Sequence, residues 1–160
     1  MRTSSIPPYR FGDLLALARQ SWVKQLAGAL AEAGYPDYRR SDALAMRLLL
    51  RRPLPIGRLG EALGVTRQAA KKVATGLEGR GYATAERDAR DGRQTNIALT
   101  SRGRDFAHAI VGVIDQLDAA LAARVSPDQL TAADTVLRAV LGDEHSRALA
   151  RLVAPPHDGR

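Results

Sequence analysis

Over residues 55–82 the chain reads PIGRLGEALGVTRQAAKKVATGLEGRGY, two apolar stripes of helical period separated only by Gly64-Val65. Ile56, Leu59, Ala62 and Leu63 form the inward face of the first stripe, and Ala70, Val73, Ala74 and Leu77 that of the second. A joint this short lets two helices cross steeply, the arrangement of a helix-turn-helix. Thr66 is placed to cap the second helix, which is predicted to reach about residue 80, where Gly81 ends it. On its outward face Gln68, Lys71, Lys72 and Thr75 fall at i, i+3, i+4 and i+7, with Arg67 beside them at the helix start. The face carries no acid until Glu78, and its side chains are those that contact phosphates and base edges. The major groove of B-DNA admits one α-helix, whose N-terminal residues meet the bases.

The next feature is RDARDGRQ at residues 87–94, between two segments expected to be strands at 82–87 and 94–100. Asp91-Gly92 signals a tight hairpin turn with positive φ at both central residues. Such a turn has no need of Arg87, Arg90 and Arg93. A cationic hairpin directly after a groove-entering helix reads as a wing reaching the neighbouring minor groove or phosphates, where arginine is favoured by the focused negative potential. Taken alone, the tip can also be read as a solvated loop.

Charge separates these readings. Residues 51–104 hold twelve Lys/Arg against five Asp/Glu, and the rest of the chain holds twelve of each, so the whole net charge of +7 sits in the middle third. This is the footprint of a module that binds a polyanion, flanked by neutral scaffolding. An anionic membrane fits less well, because the basic segment has no long helix with bulky apolar residues opposite the charge. With no apolar run near the ~20 residues of a span and no secretory leader pattern, the chain is expected in the cytoplasm. It contains no cysteine, which excludes disulfide scaffolds, thiolate zinc sites and thiol redox switching.

The remaining elements are read from periodicity. Apolar residues from Phe11 to Ala33 predict a long first helix ending near Gly34, and Ser41 is expected to cap a second through Leu50, stopped by Pro53 and Pro55. Ser101 is expected to cap a fifth helix to about residue 124, with Phe106, Ile110, Val113, Leu117 and Ala120 as its stripe. Ser126-Pro127-Asp128-Gln129 has the capping-box pattern and starts a sixth, striped by Leu130, Ala133, Leu137, Val140 and Leu141. The expected fold is mainly α with a small β-hairpin, in the order α-α-α-α-β-β-α-α. Its units are N-terminal helices at 9–53, a winged helix-turn-helix at 54–103 and C-terminal helices at 104–153. The two ends, residues 1–8 and 154–160, look loose.

From Leu54 to Gly103 the succession Leu59, Leu63-Gly64-Val65, Leu77-Glu78, Gly81, Asp91-Gly92-Arg93, Leu99-Thr100 and Gly103 resembles the winged helix-turn-helix of the MarR family of bacterial transcriptional regulators. The flanking helices match that family in length and order, so the resemblance spans nearly the whole chain. It implies a homodimer with interleaved terminal helices that binds double-stranded DNA, acting as a repressor more often than an activator. DNA contacts are then expected from Thr66, Arg67, Gln68, Lys71, Lys72 and Thr75 on the helix and from Arg87, Arg90, Asp91 and Arg93 on the wing. The resemblance further implies that Asp91 braces the wing by pairing with an arginine and that Arg90 or Arg93 enters the minor groove. The chain departs from the family at Gly60, where alanine is usual, at Gly76, where a longer and often basic residue is usual, and at Ala85, where arginine is common.

Family members often respond to a small aromatic or phenolic ligand between dimer arm and wing domain. Trp22, Tyr38 and His108, with Tyr35 and Phe106, are the residues here that would line such a cleft, although aromatics at helical spacing more often serve a core. His108, His145 and His157 lack metal-ligand spacing, and neither metal nor cofactor is expected. No nucleophile elbow, phosphate-binding loop or zinc-protease pattern is present, so an enzyme is not expected. The alternative within the DNA-binding class is an architectural protein that coats DNA without sequence preference.

Overall fold

The structure, a computed structural model, describes residues 10–88 and 90–153, with side chains up to residue 143. The two ends expected to be loose, and with them His157, lie outside the described residues. Helix α1 (Phe11–Glu32) ends where Gly34 turns to φ 96° and Tyr35 N–H reaches back to the Leu30 carbonyl at 2.8 Å. Helix α2 (Asp42–Arg51) follows, then strand β1 (Leu54–Pro55), helix α3 (Ile56–Leu63) and helix α4 (Arg67–Gly79). Strands β2 (Ala83–Arg87) and β3 (Thr95–Leu99) lead into helices α5 (Ser101–Ala122) and α6 (Pro127–Val153).

Three antiparallel strands form the sheet, in the order β1-β3-β2. The sequence pattern shows only the hairpin. Leu54 and Pro55 pair with Ile97 and Asn96 on the far side of β3, a strand too short to show alternation and one whose proline suits an edge. Sheet and helices share one core in which Leu30, Met46, Leu59, Leu77, Tyr82, Phe106 and Ile110 are fully buried. The ring of Phe106 lies 4.4 Å from that of Tyr82 and 4.7 Å from that of Tyr35, so the aromatics gather where α1 ends, the hairpin begins and α5 starts.

Ser41 is the N-cap residue of α2, as expected, and the cap of α5 moves by one residue. Ser41 makes no capping hydrogen bond, and it is the Asp42 carboxylate that accepts Arg39 N–H at 2.7 Å. Thr100, not Ser101, caps α5: its Oγ1 accepts Gly103 N–H at 3.0 Å and its hydroxyl donates to the Gly81 carbonyl at 2.7 Å. The Ser126 capping box forms as read, with Ser126 N–H to Gln129 Oε1 at 2.8 Å and Gln129 N–H to Ser126 Oγ at 3.2 Å. Helix α6 is broken at Gly142 (φ 72°, ψ 170°), a break that periodicity gave no sign of.

The terminal helices leave apolar surface uncovered. On α1, Phe11, Leu14 and Leu17 are 51%, 48% and 61% exposed, and on α6, Leu137 and Val140 are 42% and 54% exposed. Among the described side chains of α6, only Leu130 is partly buried. No single described helix is long and apolar enough to cross a membrane.

Candidate nucleic-acid interface

Gly64 ends α3 in the left-handed region (φ 67°, ψ 32°), and Val65 N–H returns to the Gly60 carbonyl at 3.0 Å. A Cβ at Gly60 would come within 3.2 Å of the Val65 carbonyl oxygen and 3.4 Å of the Ala70 methyl. The glycine therefore lets α4 lie close on α3, which offsets its helix-propensity cost of about 1 kcal/mol. At the start of α4, Thr66 Oγ1 accepts Ala69 N–H at 3.2 Å, which fixes the direction in which the helix sets out.

Ala70, Ala74 and Leu77 are buried on the inner side of α4. The opposite side leaves Arg67, Gln68, Lys71, Lys72 and Thr75 exposed, with Thr66 at their head. Arg87, Arg90, Asp91 and Arg93 are likewise exposed on the wing. A cleft of about 580 Å³ between α3, the start of α4 and the wing brings Arg58, Arg67, Asp91, Arg93 and Gln94 to one opening. Helix and wing thus present one continuous cationic surface. Arg58 and Gln94 were not expected in it; Arg58 lies on the outward side of α3, where it also pairs with Glu61 at 2.9 Å.

The wing is organised differently from the expectation. Neither Asp91 nor Gly92 has positive φ, so no tight Asp-Gly turn forms. A wider loop closes through Asp88 N–H to the Gln94 carbonyl at 2.8 Å and Gln94 N–H to the Asp91 carbonyl at 2.9 Å. The Asp88 carboxylate accepts from Arg90 N–H (2.7 Å), Asp91 N–H (3.0 Å) and Asn96 Nδ2 (2.7 Å). Those donors, led by the two backbone amides, hold its pKa below the ordinary carboxylate value. Asp91 instead accepts Arg93 N–H at 3.1 Å, and among the described residues it forms no ion pair. The brace of this wing is Asp88, working through backbone amides.

The other end of α4 is tied down by Arg80. Its Nη1 and Nη2 meet the Asp42 carboxylate at 2.8 and 2.9 Å, Nη1 also reaches the Asp37 carbonyl at 2.9 Å, and Nε reaches the Gly76 carbonyl at 2.8 Å. The hydrogen bonds to Asp42 hold the guanidinium more firmly charged, raising its pKa. Beside it Tyr82 donates its hydroxyl to Asp37 Oδ1 at 2.8 Å, and burial together with that bond raises the phenol pKa. No local pattern announces these contacts, which join residues 38 to 45 positions apart.

Of the aromatic residues read as lining a ligand cleft, Phe106 is fully buried and Tyr35 is stacked on it. Trp22 and Tyr38 are partly buried and His108 is exposed. Burial raises the Tyr38 phenol pKa, with the nearby Asp42 charge adding to it.

Residues 37–94, from the turn before α2 through the wing, match the sequence model of a family described as the MarR family. Curated proteins yield no match. Solved structures do. A probable transcriptional regulator from Pseudomonas aeruginosa is 22% identical, with a TM-score of 0.67 over 80% of this chain and 94% of that one. MepR of Staphylococcus aureus in complex with DNA is 18% identical, with a TM-score of 0.73 over 83% and 97%. The transcriptional repressor CouR bound to a 23-mer DNA duplex is 19% identical, with a TM-score of 0.70 over 83% and 93%. At these identities the likeness is one of fold, over four fifths or more of this chain. The match to the MarR family model thus falls on the segment from the turn before α2 through the wing, and the solved structures share its fold.

Proposed function

We propose that the chain is a homodimeric regulator of transcription that binds double-stranded DNA sequence-specifically in the cytoplasm and represses until a small aromatic or phenolic ligand releases it. The observation that carries the reading is the continuous exposed cationic surface of α4 and the wing, on a chain whose apolar α1 and α6 faces are left open. Helix α4 enters the major groove with Gln68 against base edges and Lys71 and Lys72 on phosphates, while Arg90 or Arg93 follows the minor groove. A dimer made through the terminal helices sets the two α4 helices about one duplex turn, ~34 Å, apart. Release by a ligand would draw on the partly buried Trp22 and Tyr38 and the exposed His108.

The test is titration with duplex DNA from the gene's own upstream region, against unrelated duplex as competitor, over a range of salt. Preference for the upstream DNA supports specific regulation. A steep salt dependence with no preference supports the architectural alternative. Lys71→Ala and Lys72→Ala should weaken binding to every duplex and flatten the salt dependence by about 0.9 for each phosphate left without its cation. Gln68→Ala should relax base preference and leave the salt dependence in place; an unaltered site preference would remove it from the reading set.

A further inference from the structure

The turn before α2 is clamped to the recognition helix. Arg80, just past the end of α4, binds the Asp37 carbonyl on one side of Arg39 and the Asp42 carboxylate on the other, while its Nε holds the Gly76 carbonyl. Asp42 in turn accepts Arg39 N–H at 2.7 Å, and Asp42 N–H donates to the Arg39 carbonyl at 2.8 Å. The backbone of Arg39 is therefore fixed against the C-terminal half of α4 by a buried ion pair. Its side chain runs back over that helix, with Nη1 3.1 Å from where a Cβ on Gly76 would stand. A methyl there would make the guanidinium give way by a few tenths of an ångström. Gly76 lies one turn beyond Lys72 on the same helix row, at the edge of the exposed cationic face. Arg39 is exposed, and among the described residues no carboxylate pairs with it.

We infer that Arg39 is a DNA-backbone contact, an arginine from outside the helix pair that is held over Gly76 to meet a phosphate beside the one bound by Lys72. A guanidinium suits this position because it takes a phosphate in a fork, and the clamp fixes the backbone from which the side chain reaches. The inference rests on the proposed DNA-binding role. The same geometry predicts that Arg39 acts on all sequences alike, since a phosphate contact carries no base information.

The experiment measures binding of the full chain to a random-sequence duplex and to the upstream duplex as salt is raised, for the wild type, Arg39→Ala, Arg39→Lys and Lys72→Ala. Arg39→Ala retains the backbone groups that Asp42 holds, so its melting temperature should stay within a degree or two of wild type. Its log–log salt slope should fall by about 0.9 for each bound copy on both duplexes, and Arg39→Lys should restore it. If Lys72→Ala flattens the slope and Arg39→Ala does not, the contact is refuted while the DNA-binding role stands. If Arg39→Ala lowers the melting temperature and leaves the slope unchanged, the residue is structural and the inference fails. If the wild type shows no salt-dependent binding to either duplex, the DNA-binding role itself fails, and this contact with it.

Discussion

At Asp42 a carboxylate with none of its surface exposed accepts both arms of Arg80 and the backbone of Arg39, although its place in the sequence is simply the first turn of a helix. Only 12% of the Arg80 side chain remains exposed. Removing one partner of such a pair leaves a charge in a site that water reaches poorly, and the loss exceeds what the intact pair adds. Asp42→Ala is expected to destabilise the fold by about 3–5 kcal/mol, measured by urea unfolding. Gly103 shows a different constraint. A methyl there would overlap the carbonyl of Tyr82, which accepts Thr100 N–H, so the Thr-x-x-Gly of the family pattern is a cap followed by a close approach of backbones. Gly103→Ala should cost about 3 kcal/mol by the same assay, because the α5 backbone must move away from the hairpin.

In the wing, a single carboxylate shapes the element. Asp88 has a folded pKa below its unfolded value, so its contribution is full above the ordinary carboxylate range and is lost as pH falls through the lower folded value. The wing loop should therefore stay ordered at pH 5 and loosen below about pH 4. An NMR titration of the Asp88 carboxyl, with the Asn96 side-chain amide as reporter, checks this; an Asp88 that titrates at or above the ordinary value would remove it as the brace. The two strands were legible from their flanking turn signals to within a residue. The loop was not, because Asp91-Gly92 advertises a tight turn locally, while the closure chosen depends on Asn96 reaching across from β3 to Asp88.

For the whole molecule the governing fact is the apolar surface left open on α1 and α6. Val136, Leu137, Val140 and Leu141, each more than 40% exposed, form one stripe along α6, and an apolar stripe of that kind marks an interaction surface, here expected to meet a second copy. Light scattering should give twice the 17.2 kDa chain mass. Replacing both Leu137 and Val140 by Asp should shift the population to single chains and, with them, abolish tight binding to duplex DNA, because one copy engages only half of the phosphates. A wild type that stays monomeric at micromolar concentration would contradict this. The helices that carry the stripe were legible from their period of apolar residues. Whether the stripe would be buried within the chain or left open was not, because periodicity gives a face and says nothing of what meets it.

What the sequence determined alone is whatever neighbouring residues settle between themselves. The Gly64-Val65 joint, the Thr66 and Ser126 caps, the inward faces of α3 and α4 and the concentration of charge in the middle third are all of this kind, since each rests on steric or hydrogen-bonding preferences within a turn or two. Tertiary structure decided the rest. Asp42 finds Arg80, Leu54 finds Ile97, Phe106 fills the core instead of standing free in a cleft, and Arg39 comes to lie over Gly76. Those pairings join groups distant along the chain, and the free energy that selects them is burial, which does not exist until the helices have packed.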